Sequence, residues 1–335
     1  MKALLYTGPE QLEYQDVPDA IPQEGEELIR VSHVGICGSD MHAYLGHDER
    51  RPSPLILGHE AAGVIVGGEN DGKRVTVNPL VSCLKCSACL SDRENLCSKR
   101  QIISMPPREG AFAELVAMPR TNLVFVPDHV PLVKAALAEP IACGWHASRL
   151  ALKAMDDSIS NPSVLVLGGG AIGVGSALSL RAQGVENVTI LETNPIRREY
   201  LTQNCKLNVI GLEGLSDDHL FDVIIDGVGF AVTRGTATKY VRPGGVIAHI
   251  GLGENDGGLD IRRMTLQEIT FIGTYTYSQE DFRQTAAAIF EGSLGDLNWI
   301  ESRPLAEGAQ AFSDIYKGQN PAPKIVLLPE TSPES

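Results

Sequence analysis

The sequence predicts a two-domain α/β protein, with a doubly wound domain inserted into a β-rich domain that uses both chain ends. Three observations predict it. At 335 residues the chain is long for a single hydrophobic core. Residues up to about Ala147 carry many short Val/Ile/Leu runs broken by Gly and Pro, which is the texture of short strands. From about Ser163 to Gly273, apolar runs alternate with helical or turn-rich segments, which suggests a parallel sheet. The expected divisions are 1–147, completed by 274–335, and 148–273.

In chain order, Glu27–Val34, Ala61–Val66 and Arg74–Val77 read as strands of the β-rich part. Ser163–Leu167, Val188–Glu192, Val223–Asp226 and Val246–Ile250 read as the parallel set. Between a third strand near Asn208–Gly211 and a fourth near Asp222, the interval is short for a crossover helix. A turn or a single helical turn is expected there. Gly244–Leu252 reads as a strand near the sheet edge, which would otherwise be exposed, so a homodimer or homotetramer is expected. A helix over Glu280–Phe290 and a closing strand starting at Lys324 complete the chain. Met105–Glu109 and Gln319–Pro323 are Pro-containing surface connections.

Composition is that of an ordinary folded protein, 43% hydrophobic and 21% charged. The formal net charge of −14 argues against nucleic acid or an anionic membrane as the main partner. The N-terminal apolar run is too short for a signal peptide. No stretch approaches the roughly 20 apolar residues that span a bilayer. The expected location is therefore the cytoplasm, where thiols stay reduced. The seven cysteines then need an explanation other than disulfides.

Val164–Leu167 runs directly into Gly168-Gly-Gly170-Ala171-Ile172-Gly173 and then into a helix that reaches about Gln183. A G-x-G-x-x-G alone is a weak signal, but strand, turn and helix together are stronger. Gly168 permits the tight turn, Gly170 lets backbone approach a pyrophosphate, and Gly173 allows close helix–strand packing. The helix start offers unpaired N–H groups to phosphate. Glu192 ends the next strand about twenty residues on, where an acid accepts ribose hydroxyls and repels a 2′-phosphate, favouring NAD over NADP. Arg197 and Arg198 lie nearby and keep NADP open. The bland alternative is a structural Gly turn with a surface Glu.

Cys83, Cys86, Cys89 and Cys97 fall in one polar loop. Four thiols at that spacing suit a closed tetrahedral zinc site with a structural role. An iron–sulfur cluster and unligated thiols are the alternatives, and the fourth spacing does not match common cluster patterns.

Three pieces remain: Cys37-Gly-Ser39-Asp-Met-His42, Gly58-His59-Glu60, and Glu139-Pro-Ile-Ala-Cys143. Each alone is worth little, since an isolated Cys is usually core and a lone His or Glu usually solvated or satisfied. Together they supply sulfur, nitrogen and oxygen donors that could hold a catalytic zinc with one replaceable position.

With the Gly110-Ala-Phe-Ala-Glu114 segment added, these motifs run in the order found in the zinc-containing medium-chain dehydrogenases. Over nearly its whole length the chain resembles that family, and within it the sorbitol-type polyol dehydrogenases. The resemblance implies a GroES-like β-rich catalytic domain plus a doubly wound Rossmann domain. It also implies a catalytic zinc held by Cys37 and His59 with Glu60 and Glu139 as the carboxylates, a structural zinc on the four cysteines, and bound NAD. Gly168, Gly170, Ala171, Ile172, Gly173, Glu192, Arg197 and Cys143 are the residues expected at the cofactor. Typical alcohol dehydrogenases place a Cys where Glu139 stands and polyol enzymes a Glu, so the departure points to a small polyol or related secondary alcohol as substrate. Whether Glu60 or Glu139 binds the metal at rest stays open. Several sorbitol dehydrogenases lack the structural zinc. The chain is also trimmed after Val66 and around Gly211–Phe221 relative to the usual pattern.

In the implied reaction, zinc lowers the pKa of a hydroxyl, Ser39 takes its proton, His42 passes the proton outward, and hydride moves to the nicotinamide. Tyr44 and Tyr275 are candidates for lining the substrate pocket, with packing as the equal alternative. Arg50 and Arg51 are either solvated loop residues or contacts to an anionic tail such as phosphate, carboxylate or sulfonate. His33, His47, His129 and His219 are expected in loops or at the surface. Competing readings are a threonine- or 2,3-butanediol-type dehydrogenase, an NADPH-dependent ketone reductase, and a nucleotide-binding scaffold without activity. Retention of Cys37, His59 and Glu60 speaks against the last.

Overall fold

Strands Ser163–Leu167 and Phe221–Asp226 lie side by side at the centre of a six-stranded sheet in a computed structural model that describes residues 1–329. Every pair in this sheet is parallel. From one edge to the other its strands are Val209–Ile210, Asn187–Leu191, Ser163–Leu167, Phe221–Asp226, Val241–His249 and Thr270–Gly273. Val164 to Leu167 are all essentially inaccessible, because helices cover both faces, and this is why the strand reads as an unbroken apolar run. The order reverses between Ser163–Leu167 and Phe221–Asp226, which opens a crevice at their carboxyl ends. The short link expected before the fourth strand is a single 3-10 turn, Leu212–Gly214.

Val241–His249 lies one strand in from the edge, near it as expected but not exposed along it. It is flanked on both sides, and Thr270–Gly273 is the outer strand. An apolar run does not distinguish an edge strand from its neighbour; pairing does.

The β-rich part centres on Glu26–Gly35, in a seven-stranded sheet with Glu60–Val66 and Arg74–Val77. The C-terminal strand Lys324–Leu328 enters this sheet antiparallel to Glu26–Gly35, with Val326 opposite Gly35. Ile300–Pro304 pairs outside it. The last strand thus completes a sheet begun by Glu26–Gly35, while Lys2–Gly8 and Gln11–Asp16 pair in a separate three-stranded sheet with Leu55–Ile56. His33 lies inside strand Glu26–Gly35, contrary to the expected loop position. Burial there pushes its imidazole down to about 4 and leaves Nδ1 without a partner among the described residues. His47, His129 and His219 are exposed as expected.

One apolar core joins the parallel sheet to its helices and takes in Tyr277, Phe282 and Trp299, while Leu305, Phe312 and Leu327 belong to the core of the β-rich part. Helix Ala138–Ala154 runs across the division expected at 147/148. It packs against helix Ala171–Ala182 at Gly144, where a Cβ would sit 2.5 Å from the Ser176 nitrogen. That close approach carries Glu139 and Cys143 toward the crevice. No helix among the described residues is long and apolar enough to cross a membrane.

Candidate active site

The crevice divides into two connected clefts. The first, about 590 Å³, is lined by Gly168, Gly170, Ala171, Ile172, Gly173, Glu192 and Arg197. Gly168 has φ +95°, a conformation that strains any residue with a Cβ. A Cβ on Gly173 would strike the Gly168 carbonyl oxygen. Gly170 precedes the first helical residue and has open space beside it, so the backbone N–H groups of the helix start face the cleft.

Glu192 is buried, and its two oxygens accept the backbone N–H groups of Gly169 (2.8 Å) and Asn194 (2.7 Å). Each oxygen keeps a further lone pair for a ribose hydroxyl. The Arg197 guanidinium lies 3.9 Å from this carboxylate, and its Nε is buried with no protein partner among the described residues. An orphaned donor and an open Gly-turn cradle are what a nucleotide would complete. Asp226 holds the opposite wall, accepting from the N–H groups of Val228 (3.1 Å) and Gly229 (3.0 Å).

Cys37 sits between strand Glu26–Gly35 and helix Gly38–Tyr44. Asp40, wholly buried, accepts from the Cys37 N–H at 3.0 Å and the Gly58 N–H at 3.3 Å, and lies 3.4 Å from His59 Nδ1. One carboxylate thereby ties the Cys37 turn to the His59 loop. Burial pushes the Asp40 carboxyl up, but His59, Arg51 and the Cys37 N–H together hold it below its usual range. With Nδ1 facing Asp40 and Ser104 Oγ (3.4 Å), His59 keeps Nε2 for another partner.

The donor atoms of Cys37, His59 and Glu60 lie within 4.8 Å of one another. Lys324 Nζ donates to Glu60 Oε1 at 2.6 Å and to the Ile36 carbonyl at 2.8 Å. Burial works against the Lys324 charge, yet Glu60 and Cys37 hold its ammonium above its ordinary value. Glu60 Oε2 is buried with no partner among the described residues. A sulfur, an imidazole nitrogen and an orphaned carboxylate oxygen fit a zinc ion. Glu139 stands outside this trio: Tyr277 donates to its Oε1 at 2.7 Å, and burial pushes its carboxyl up to about 7.

The second cleft, about 490 Å³, is lined by Ser39, His42, Arg50, Glu139, Cys143 and Tyr275 among others, and meets the first at Cys37, Ile172 and Val228. Cys143 lines this second cleft, together with Ile172 of the Gly turn, and not the first. Ser39 and His42 are three residues apart on helix Gly38–Tyr44, hence neighbours on its surface.

Two residues depart from expectation. Tyr44 is buried with its ring 5.2 Å from Phe312, so it packs in the core instead of lining the cleft, because one helical step turns it inward. Arg51 is no solvated loop residue: it is 3% exposed and donates to the Ser39 carbonyl (2.7 Å) and the Ser104 carbonyl (3.0 Å). Sequence reasoning missed Asp40, Lys324 and Tyr277 as members of the site. Asp40 stood inside a motif already singled out. Lys324 was legible as a lone charge heading an apolar strand. Tyr277 carried no signal.

The four remaining candidates form a separate lobe. Cys83, Cys86, Cys89 and Cys97 bring their sulfurs together, with Cys86 and Cys83 at 3.5 and 3.9 Å from Cys89, and none is in a disulfide. Four zinc–sulfur bonds of about 2.3 Å at tetrahedral angles place sulfurs about 3.8 Å apart. The Lys85 N–H and its neighbours pull the Cys83 thiol down to about 6, while burial pushes Cys89 up to about 12. A bound dication would stabilise all four thiolates together.

Comparison with known proteins agrees with this geometry. Residues 23–128 match the alcohol dehydrogenase GroES-like domain, and residues 171–291 match the zinc-binding dehydrogenase family. L-galactonate-5-dehydrogenase of Escherichia coli (strain K12) is 31% identical over 328 residues, covering 93% of this chain and 94% of that protein. Sorbitol dehydrogenase of Bacillus subtilis (strain 168) is 30% identical over 297 residues, covering 83% of each. The crystal structure of an alcohol dehydrogenase from Escherichia coli CFT073 with NADH superposes with a TM-score of 0.87 at 25% identity, covering 98% of this chain and 99% of that one.

Proposed function

The chain belongs to the zinc-containing medium-chain dehydrogenases of the polyol dehydrogenase type, and from that premise we propose that it oxidises a secondary hydroxyl of a polyol to a ketone with NAD. The observation that carries this reading is the meeting of the Cys37, His59 and Glu60 donors where a nucleotide-shaped cleft joins a second, mostly apolar one.

Cys37, His59 and Glu60 would hold the catalytic zinc, and Cys83, Cys86, Cys89 and Cys97 a structural one. Zinc when bound supplies Lewis acidity that makes a hydroxyl easier to deprotonate, and NAD supplies the hydride acceptor. The rest is done by side chains of the chain. Asp40 orients His59, and Lys324 holds one oxygen of Glu60 so that the other stays free. Ser39, its backbone anchored by Arg51, accepts the substrate's hydroxyl proton as it releases its own toward the exposed His42, which passes a proton to solvent. Glu139, held by Tyr277, offers an oxygen to a neighbouring substrate hydroxyl. Glu192 holds the adenosine ribose, and its negative charge favours NAD.

Among the described residues the outer side of strand Thr270–Gly273 has no partner, which supports a homodimer joined along that edge.

The test is NAD reduction by purified protein on a panel of polyols, sugar acids and diols, before zinc removal, after it, and after zinc is restored. Turnover that disappears with the metal and returns with it is expected. Failure of the protein to bind zinc, with no activity after zinc is added, would overturn the proposal.

A further inference from the structure

Resting on the dehydrogenase reading above, we infer that the substrate carries an anionic end group and that Arg50 recognises it at the second cleft. Arg50 and Arg51 are adjacent in the chain and both border this cleft, yet their guanidinium groups do different work. Arg51 is buried and occupied by the Ser39 and Ser104 carbonyls. The Arg50 side chain is 63% exposed. Its Nε and Nη2 donate to the two oxygens of Asp48 at 2.8 and 2.9 Å.

A guanidinium presents two edges, each able to grip a carboxylate. Asp48 occupies the Nε–Nη2 edge of Arg50. No partner among the described residues reaches Nη1, so the second edge is open. Asp48 also lies 3.4 Å from Arg51 Nη1, so one carboxylate is shared between two guanidinium groups, and the buried Asp40 acts on Arg51 as well. Among the described residues, the only carboxylate lining this cleft is Glu139, hydrogen-bonded to Tyr277. On a chain of net charge −14, a cleft biased toward cations selects an anion.

The rest of the wall suits a hydroxylated chain behind that anion. Tyr275 lines the cleft with its ring 4.9 Å beneath the Arg100 guanidinium, and the buried Thr276 Oγ1 has no partner among the described residues. A cleft of about 490 Å³ is within the range that takes a small ligand. The substrate class is therefore a polyol bearing a carboxylate or a phosphate monoester, groups that share the guanidinium-binding chemistry.

Galactitol, L-galactonate and galactitol 1-phosphate serve as probes of related carbon skeleton that differ at one end. Their binding to zinc-loaded enzyme saturated with NADH is measured by calorimetry, and kcat/KM with NAD is measured in parallel. One anionic probe is expected to bind about 10- to 100-fold more tightly than galactitol, the range for a half-exposed charge-assisted pair. Which probe does so tells carboxylate from phosphate. The preference should shrink as salt rises, collapse toward one in Arg50→Gln, and partly survive in Arg50→Lys. Equal binding of all three probes by the wild-type enzyme, or a salt-independent preference, overturns the inference, and neither observation depends on a variant folding. NAD reduction by galactitol without anion preference sinks this inference alone. Anion preference without NAD reduction by any probe upholds it and sinks the dehydrogenase reading.

Discussion

Replacing Lys324 by Met tests whether a C-terminal strand tunes the candidate metal centre. The perturbation keeps most of the side chain's length and removes only its charge. In the folded chain the Lys324 and Glu60 side chains are 3% and 0% exposed, at 2.6 Å from each other. Two unit charges about 4 Å apart attract by about 4 kcal/mol at an effective dielectric of about 20. That agrees with the 3–5 kcal/mol typically lost when one partner of a buried pair is removed and the other stays charged. Lys324→Met should therefore destabilise the zinc-free protein by about 3–5 kcal/mol. The double variant with Glu60→Gln should recover much of that, because no stranded charge remains. The assay is denaturant unfolding of wild type, both single variants and the double variant in chelator, read as a double-mutant cycle. With zinc restored, the single Lys324→Met variant should regain part of its loss, since the metal supplies the missing positive charge. A coupling energy below about 0.5 kcal/mol, the size expected of independent sites, would refute the claim that Lys324 holds Glu60.

Two further outcomes are expected. Ser39→Ala should lower kcat by about 10²- to 10⁴-fold, the range for a positioned proton acceptor, while NAD affinity measured by fluorescence titration stays near wild type; an unchanged kcat removes Ser39 from the relay. Asp281 is the hub of a buried cluster with His146 (2.7 Å), Arg149 (2.6 Å) and Ser278 (2.8 Å). Burial pushes its carboxyl up, but these three partners hold it well below the usual range. A folded pKa below the unfolded value of about 3.9 means that its stabilisation is full at neutral pH and is lost as pH falls below about 4. Asp281→Asn should cost about 2–3 kcal/mol at pH 7, less than a fully buried pair because Arg149 reaches solvent, and should flatten the fall of stability as pH drops below about 4. Parallel stability curves for variant and wild type over that range would contradict the assignment.

The elements legible in the sequence were those whose signal is local. The turn from Gly168 to Gly173 needs glycines at fixed offsets, because one position has positive φ and another touches backbone, and both demands arise within six residues. The four lobe cysteines and the pieces around Cys37 and His59 are similarly compact. The residue types needed to bind a metal are therefore visible before any fold is known.

Where neighbours come from distant segments, the sequence was silent or misleading. Lys324 reaches Glu60 only because the last strand pairs antiparallel with Glu26–Gly35. Tyr277 reaches Glu139 across 138 residues, and the outer strand of the parallel sheet is set by pairing order. Arg50 and Arg51 are chemically identical and adjacent, so nothing local could tell the buried strut from the exposed one. The sequence by itself determined the donor set, the cofactor turn and the two-part architecture, since each depends on short spacing and on the periodicity of apolar residues. Only the tertiary structure decided which charges are paired, which donors stay free and which side chains face the cleft, because burial and electrostatic pairing depend on all the segments that meet at a point.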